Sequence, residues 1–212
     1  MRDIPVFSTD LGVASLTLSQ IPYTKTAYIR IQDTGNGFDF LKECVSFCKM
    51  AGAECVYATG HTVCCDYPFS TSIVSMQADK ARIDSTDACL FPVTEKTLEQ
   101  WRTIYNSKVS KIPNGAWMTI QESRKMLQQG SGYFIHRGGT LLGIGKVEGN
   151  RIHWLASVYP GGGRDVLAAL CNAITDDTVT LEVADTNIKA MDLYTKSGFI
   201  PTQILSEWYR VE

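Results

Sequence analysis

Arg151–Phe199 reads RIHWLASVYP-GGGRDVLAALCNAI-TDDT-VTLEVADT-NIKAMDLYTKSGF, and the breaks in it decide the fold. Arg151 to Tyr159 mixes aromatic and aliphatic residues without a helical stripe, which predicts a strand ended by Pro160-Gly161-Gly162-Gly163. From Arg164 the apolar residues Val166, Leu167, Leu170, Cys171 and Ile174 fall at helical spacing, and Thr175-Asp176-Asp177 closes that helix. Val179–Val183 alternates and is rich in β-branched residues, so it predicts a second strand. Asn187 stands as the N-cap of a helix carrying Ile188, Met191 and Tyr194, and Gly198 occupies the C′ position. A strand, helix and strand of this length form a right-handed parallel crossover.

The start of the Arg164 helix presents free amides beside glycines that let a ligand approach the backbone, an arrangement suited to a phosphate or pyrophosphate. Leu193-Tyr194-Thr195-Lys196-Ser197-Gly198-Phe199 resembles the L-Y-x-K-x-G-F ending of the GCN5-related N-acetyltransferase (GNAT) family. Asn187, seven residues before the tyrosine, and the valine-x-proline at Val158 and Pro160 share the resemblance, which extends over roughly Leu90 to Glu212.

The resemblance implies an α/β (α+β) fold in which helices flank a mixed central sheet, and an N-acyltransferase that uses acetyl-CoA. The cofactor contacts it implies are Val158, Tyr159, Gly161, Gly162, Gly163, Arg164 and Asn187. The glycine loop would hold the pyrophosphate, and the central strands would splay after Val158 to receive the pantetheine arm. Tyr194 would give a proton to the leaving thiolate. Glu182, in a Leu-Glu-Val strand similar to that of the ribosomal-protein N-terminal acetyltransferases, would be the base, with His153 and His136 behind it. The acceptor would be an amine of a small molecule or peptide, lying near Trp101, Tyr105, Trp117, Tyr133, Trp208 and Tyr209.

The loop departs from the family pattern Arg/Gln-x-x-Gly-x-Gly/Ala. Gly163 takes the first glycine, Asp165 and Leu167 fall where small residues are usual, and the loop is one residue short. These departures keep open a second reading, a non-catalytic module of the same fold that binds acyl-CoA and serves regulation or assembly.

Upstream, Tyr28–Gln32, Asp33–Gly37, Phe38–Met50 and Cys55–Ala58 repeat the order strand, glycine loop, helix, strand. A shift of 126 residues lays Gly37 on Gly163, Leu41 on Leu167, Cys44 on Leu170, Cys48 on Ile174 and His61 on Asn187 without a gap. Residues 1–85 thus read as a partial, decayed, non-catalytic copy, and residues 86–212 as the acetyltransferase domain. After Leu90-Phe-Pro-Val, two helices are expected over Glu95–Ser107 and Thr119–Gln129, with Thr119 and Glu122 as a capping box. Three strands joined at Gly138-Gly139 and Gly149-Asn150 follow.

A hydrophobic content of 44% supports a packed core, and a net charge of −2 with a pI near 5.9 gives no reason to expect nucleic acid. No apolar run approaches a membrane span and no signal peptide is visible, which points to the cytoplasm. The seven cysteines lack metal-site or disulfide-framework spacing, so they read as buried thiols with no metal. A homodimer is compatible with all of this.

Overall fold

Residues 2–110, 112 and 115–212 are described by the computed structural model. Among them the chain forms β1 (Ile4–Thr9), β2 (Gly12–Thr17), α1 (Ile21–Thr24), β3 (Thr26–Thr34), α2 (Gly37–Met50) and β4 (Cys55–Thr59). A 3₁₀ turn (Thr62–Asp66) leads to β5 (Phe69–Asp79), and a second (Lys80–Arg82) to β6 (Cys89–Pro92), α3 (Leu98–Val109) and α4 (Ile120–Gln129). Then come β7 (Gly132–Arg137), β8 (Thr140–Glu148), β9 (Arg151–Ser157), α5 (Gly163–Asn172), β10 (Thr178–Ala184), α6 (Ile188–Lys196) and β11 (Ile200–Arg210). No helix among the described residues is long and apolar enough to cross a membrane.

The chain divides into two units, one of residues up to Ile73 together with Ile204–Glu212, the other Val74–Gln203. The changeovers fall inside β5 and β11, whereas the sequence reading drew its line at residue 85. Neither strand carries a glycine or proline break at the point of division, so no local signal marks it.

In the first unit β1, β2 and β3 form an antiparallel meander, and α2 carries the chain across to β4, parallel to β3. The end of β11 joins β4 antiparallel, Tyr209 opposite Ala58. The core gathers Leu16, Ile29, Phe40, Leu41, Cys44, Cys48 and Val56, and burial pushes the Cys44 and Cys48 thiols up to about 12. A thiol so placed stays protonated and unreactive at neutral pH.

In the second unit the strand order is β5-β10-β9-β8-β7-β6, with β6 to β9 antiparallel and β9 parallel to β10 across α5. Its sheet buries both faces. Ile135, Leu142, Ile152 and Leu181 pack with Val166, Leu167 and Leu170 of α5 and with Tyr194 of α6. On the other face Phe134 and Ile144 pack with Trp101, Tyr105 and Val109 of α3 and Met126 of α4. Fully burying a side chain such as Leu167 or Leu170 contributes about 1.5–3 kcal/mol, so α5 is held chiefly by its inner face.

Helix ends follow the local chemistry. Thr119 and Glu122 form the expected reciprocal box at α4, and the Asn187 side chain accepts from the Ala190 amide at the head of α6. Helix α5 has Gly162 at its N-cap and no side-chain cap. Its amides are therefore left open.

Candidate active site

Strands β9 and β10 pair only at Arg151–Thr180 and Ile152–Leu181, although β9 runs on to Ser157 and β10 to Ala184. The parting has a local cause. Against β8, Ile152 lies opposite Val147 and Trp154 opposite Lys146, so His153 has no partner and forms a bulge. Packing shows the same extra residue: Ile152 and Leu155, three apart, both belong to the α5 face, while Trp154 packs on the α3 face. A bulge bends its strand and raises the local twist, which carries β9 away from β10. The opening thus begins at His153, earlier than the position after Val158 that the family resemblance implied. The Val158 and Tyr159 amides both donate to the Leu142 carbonyl, at 2.8 and 3.1 Å, so neither is left for a ligand.

The chain then turns through Gly161, whose φ of +80° suits glycine, into α5. The Gly162 amide donates to Tyr159 at 3.1 Å, and the Val166 amide to Gly162 at 3.0 Å. The amides of Gly163, Arg164 and Asp165 have no acceptor among the described residues. These are the orphan donors of a helix start, on the positive end of its dipole. Asp165 does not plug them: its carboxylate accepts from Thr86 Oγ1 and from Arg137, each at 2.9 Å. Leu167 is fully buried in the α5 core, so it belongs to the helix packing. Arg164 is exposed, 4.0 Å from Asp84.

Helix α6 lies beside this loop, since a Cβ on Gly163 would meet Leu193 at 3.4 Å. The next residue, Tyr194, is buried against Phe199 with ring centres 5.9 Å apart. Burial pushes its phenol up to about 12, and its hydroxyl has no hydrogen-bond partner among the described residues. Asn187 is occupied as the cap of α6, 3.4 Å from the Ala190 amide. Glu182 is ion-paired with Arg151 at 2.5 Å.

Around the bulge stands a polar cluster that the sequence reading did not assemble. Glu148 accepts from Lys146 at 2.8 Å through one oxygen and lies 3.3 Å from His153 Nε2 through the other. The Lys146 bond, foremost, holds the Glu148 carboxyl below its usual range, and burial, foremost, pulls His153 below its own. Lys146 and Glu148 also line a cavity of about 250 Å³ with Tyr105, Trp117, Met118 and Glu122. Tyr105 donates to Ala116 at 3.0 Å and Asn106 bonds both main-chain groups of Met118, which fixes the segment before α4 against α3. Of the aromatic residues expected near the acceptor, Tyr105 and Trp117 line this cavity. Trp101 is core, donating to Tyr133 at 3.0 Å. Trp208 and Tyr209 fall in the first unit, where Trp208 packs edge-on against Tyr28. The only sequence signal for the cluster is the i, i+2 spacing of Lys146 and Glu148, which puts them on one strand face.

No protein-family model matches the sequence, and no curated protein matches it. Solved structures do match it in shape. A functionally unknown protein from Staphylococcus epidermidis is 10% identical, with a TM-score of 0.61 over 96% of this chain and 91% of that one. A GNAT-family acetyltransferase from Colwellia psychrerythraea is 11% identical, with a TM-score of 0.56 over 98% and 84%. A tandem GNAT protein from the clavulanic acid biosynthesis pathway is 11% identical, with a TM-score of 0.57 over 94% and 78%. The fold is therefore that of the GNAT acetyltransferase structures, a mixed sheet with flanking helices.

Proposed function

We propose that the second unit is an acyl-CoA-dependent N-acyltransferase that moves an acetyl group from acetyl-CoA to a primary amine of a small molecule or peptide. The observation that carries this reading is the parting of β9 and β10 beside the uncapped start of α5. An opened strand edge suits the amide-bearing pantetheine arm, and the amides of Gly163, Arg164 and Asp165 suit the diphosphate. Arg164 adds an exposed cation at the same turn. Gly161 and Gly162 shape the loop, and Asn187 orients α6.

The reaction asks for a donor at the departing sulfur and an acceptor for the amine proton. Tyr194 meets the first need. With its phenol raised above the ordinary 10 it is fully protonated at neutral pH, and its hydroxyl is not committed to a partner among the described residues. Glu182 meets the second less well, because its carboxylate is already engaged by the Arg151 guanidinium.

The first unit is proposed as a decayed copy that serves as scaffold. The two units share the order meander, helix, parallel strand; α2 and α5 begin 126 residues apart, as do the caps His61 and Asn187. Two features account for loss of binding in the copy. Strands β3 and β4 stay paired from Thr26–Cys55 through Arg30–Thr59, so nothing opens between them. At the start of α2 a Cβ on Gly37 would lie 2.7 Å from the His61 ring, so the imidazole covers that turn. The tandem GNAT neighbour supports a two-unit arrangement.

The occupied amides of Val158 and Tyr159 favour a second reading, a module that binds acyl-CoA without turning it over. Calorimetric titration with acetyl-CoA, followed by thiol release with a panel of amines, tests both. Binding with turnover is expected. Binding alone would favour the module, and no binding would remove both.

A further inference from the structure

We infer that His153, held by Glu148, takes the proton from the acceptor amine. The inference rests on the acyltransferase reading and supplies the base for it.

The bulge is what makes His153 available. On a regular strand, alternation would put His153 and Trp154 on opposite faces. The extra residue turns both to the α3 face, at the point where β9 leaves β10. Trp154 packs at a tilt against Tyr105 with ring centres 4.1 Å apart, which places this face against the residue that walls the cavity. Glu148 spans the two, lining the cavity and lying 3.3 Å from His153 Nε2. A carboxylate at that position accepts from Nε2–H and fixes the neutral tautomer that leaves Nδ1 as the acceptor. No described residue bonds Nδ1. Glu182, by contrast, is tied to Arg151.

The ammonium loses one proton to His153 Nδ1, from which it passes to solvent, and the free amine attacks the thioester carbonyl. As the C–N bond forms and the C–S bond breaks, the C–S electron pair goes to sulfur, which takes a proton from Tyr194. The second nitrogen proton restores the tyrosine. The imidazolium formed in the first step is steadied by Glu148.

The charged groups facing His153 are Glu148 and Lys146 from β8, Arg151 on its own strand and Glu182 from β10. Burial outweighs the carboxylates, so the acid limb of kcat/KM should lie below the 6.5 of free histidine. His153→Gln should lower kcat about 100-fold or more, the lower bound for a general base, with acetyl-CoA affinity unchanged by calorimetry and the acid limb gone. Added imidazole should restore part of the rate in His153→Ala, which guards against a variant that is merely misfolded. Glu148→Gln should move the limb to lower pH, because a group that favours the imidazolium is lost. Glu182→Gln should keep the limb. A limb that survives in His153→Gln and vanishes in Glu182→Gln would overturn the assignment while leaving the acyltransferase reading standing. Failure of the unaltered protein to bind or turn over acetyl-CoA would overturn both.

Discussion

Tyr194 is nearly enclosed by apolar neighbours and its hydroxyl has no partner among the described residues, so the two roles a tyrosine can play are separable here. Replacement by phenylalanine keeps the packing and leaves no buried group unpaired, so stability should stay within about 0.5 kcal/mol. Turnover should fall with acetyl-CoA affinity unchanged; a variant that works at the original rate would remove the phenol from the chemistry. At the loop, Gly163 tolerates a side chain, since a Cβ there meets Leu193 at an ordinary 3.4 Å, whereas one on Gly162 would crowd Ser157 Oγ at 3.1 Å. Gly163→Glu favours the helix dipole yet sets a carboxylate among the open amides. Acetyl-CoA affinity should drop at least tenfold, about 1.4 kcal/mol, while the melting temperature holds or rises; retained affinity would place the diphosphate elsewhere. The cap at Asn187 and the glycine turn into α5 were legible because their spacing is local. Asp165 was not: from sequence it opposes a phosphate, and only its 2.9 Å bond to Arg137, across 28 residues, shows the charge turned away.

Helix α5 and the bulged β9 are the elements that make the site. Leu167 is fully buried on the inner face of α5, and Leu167→Ala should cost about 2–5 kcal/mol in chemical denaturation, with loss of acetyl-CoA binding as the helix start shifts. A cost under 1 kcal/mol would mean that α5 is not anchored there. The polar cluster across β8 and β9 sets a pH dependence of stability. The Glu148 carboxyl is lowered, so its contribution is full above the ordinary 4.5 and lost as pH falls through its folded value. His153 is also lowered; the fold favours its neutral form, so that contribution is full above 6.5 and declines as pH falls from there. Both act in one direction. Thermal scans should show stability falling from pH 7 to pH 4, with a shallower fall in His153→Gln; equal slopes would mean that the cluster adds nothing. The order of elements in the second unit was readable from periodicity and turn residues. The bulge was not, because it is a matter of register between strands, and β1 was missed because its burial does not alternate. β5 escaped too: Val74, Met76 and Ala78 alternate with polar residues, but the burial of Phe69–Ile73 before them does not alternate.

At the scale of the whole chain, one unit has an opened strand pair and an uncapped helix, while the other has a continuous pair and a covered one. Calorimetry should therefore give one acetyl-CoA per chain; two equivalent sites would refute the proposed division of labour. The shared order of elements was visible in the sequence as a gapless shift of 126 residues. The continuous pairing of β3 and β4 was not, since strand pairing past Tyr28–Tyr57 leaves no mark in composition. A crystal structure grown with excess coenzyme A tests the central claim most directly. Diphosphate oxygens within about 3 Å of the Gly163, Arg164 and Asp165 amides, with the pantetheine arm between β9 and β10, is the result expected. Coenzyme A bound anywhere else, or that opening empty at saturating ligand, would contradict it.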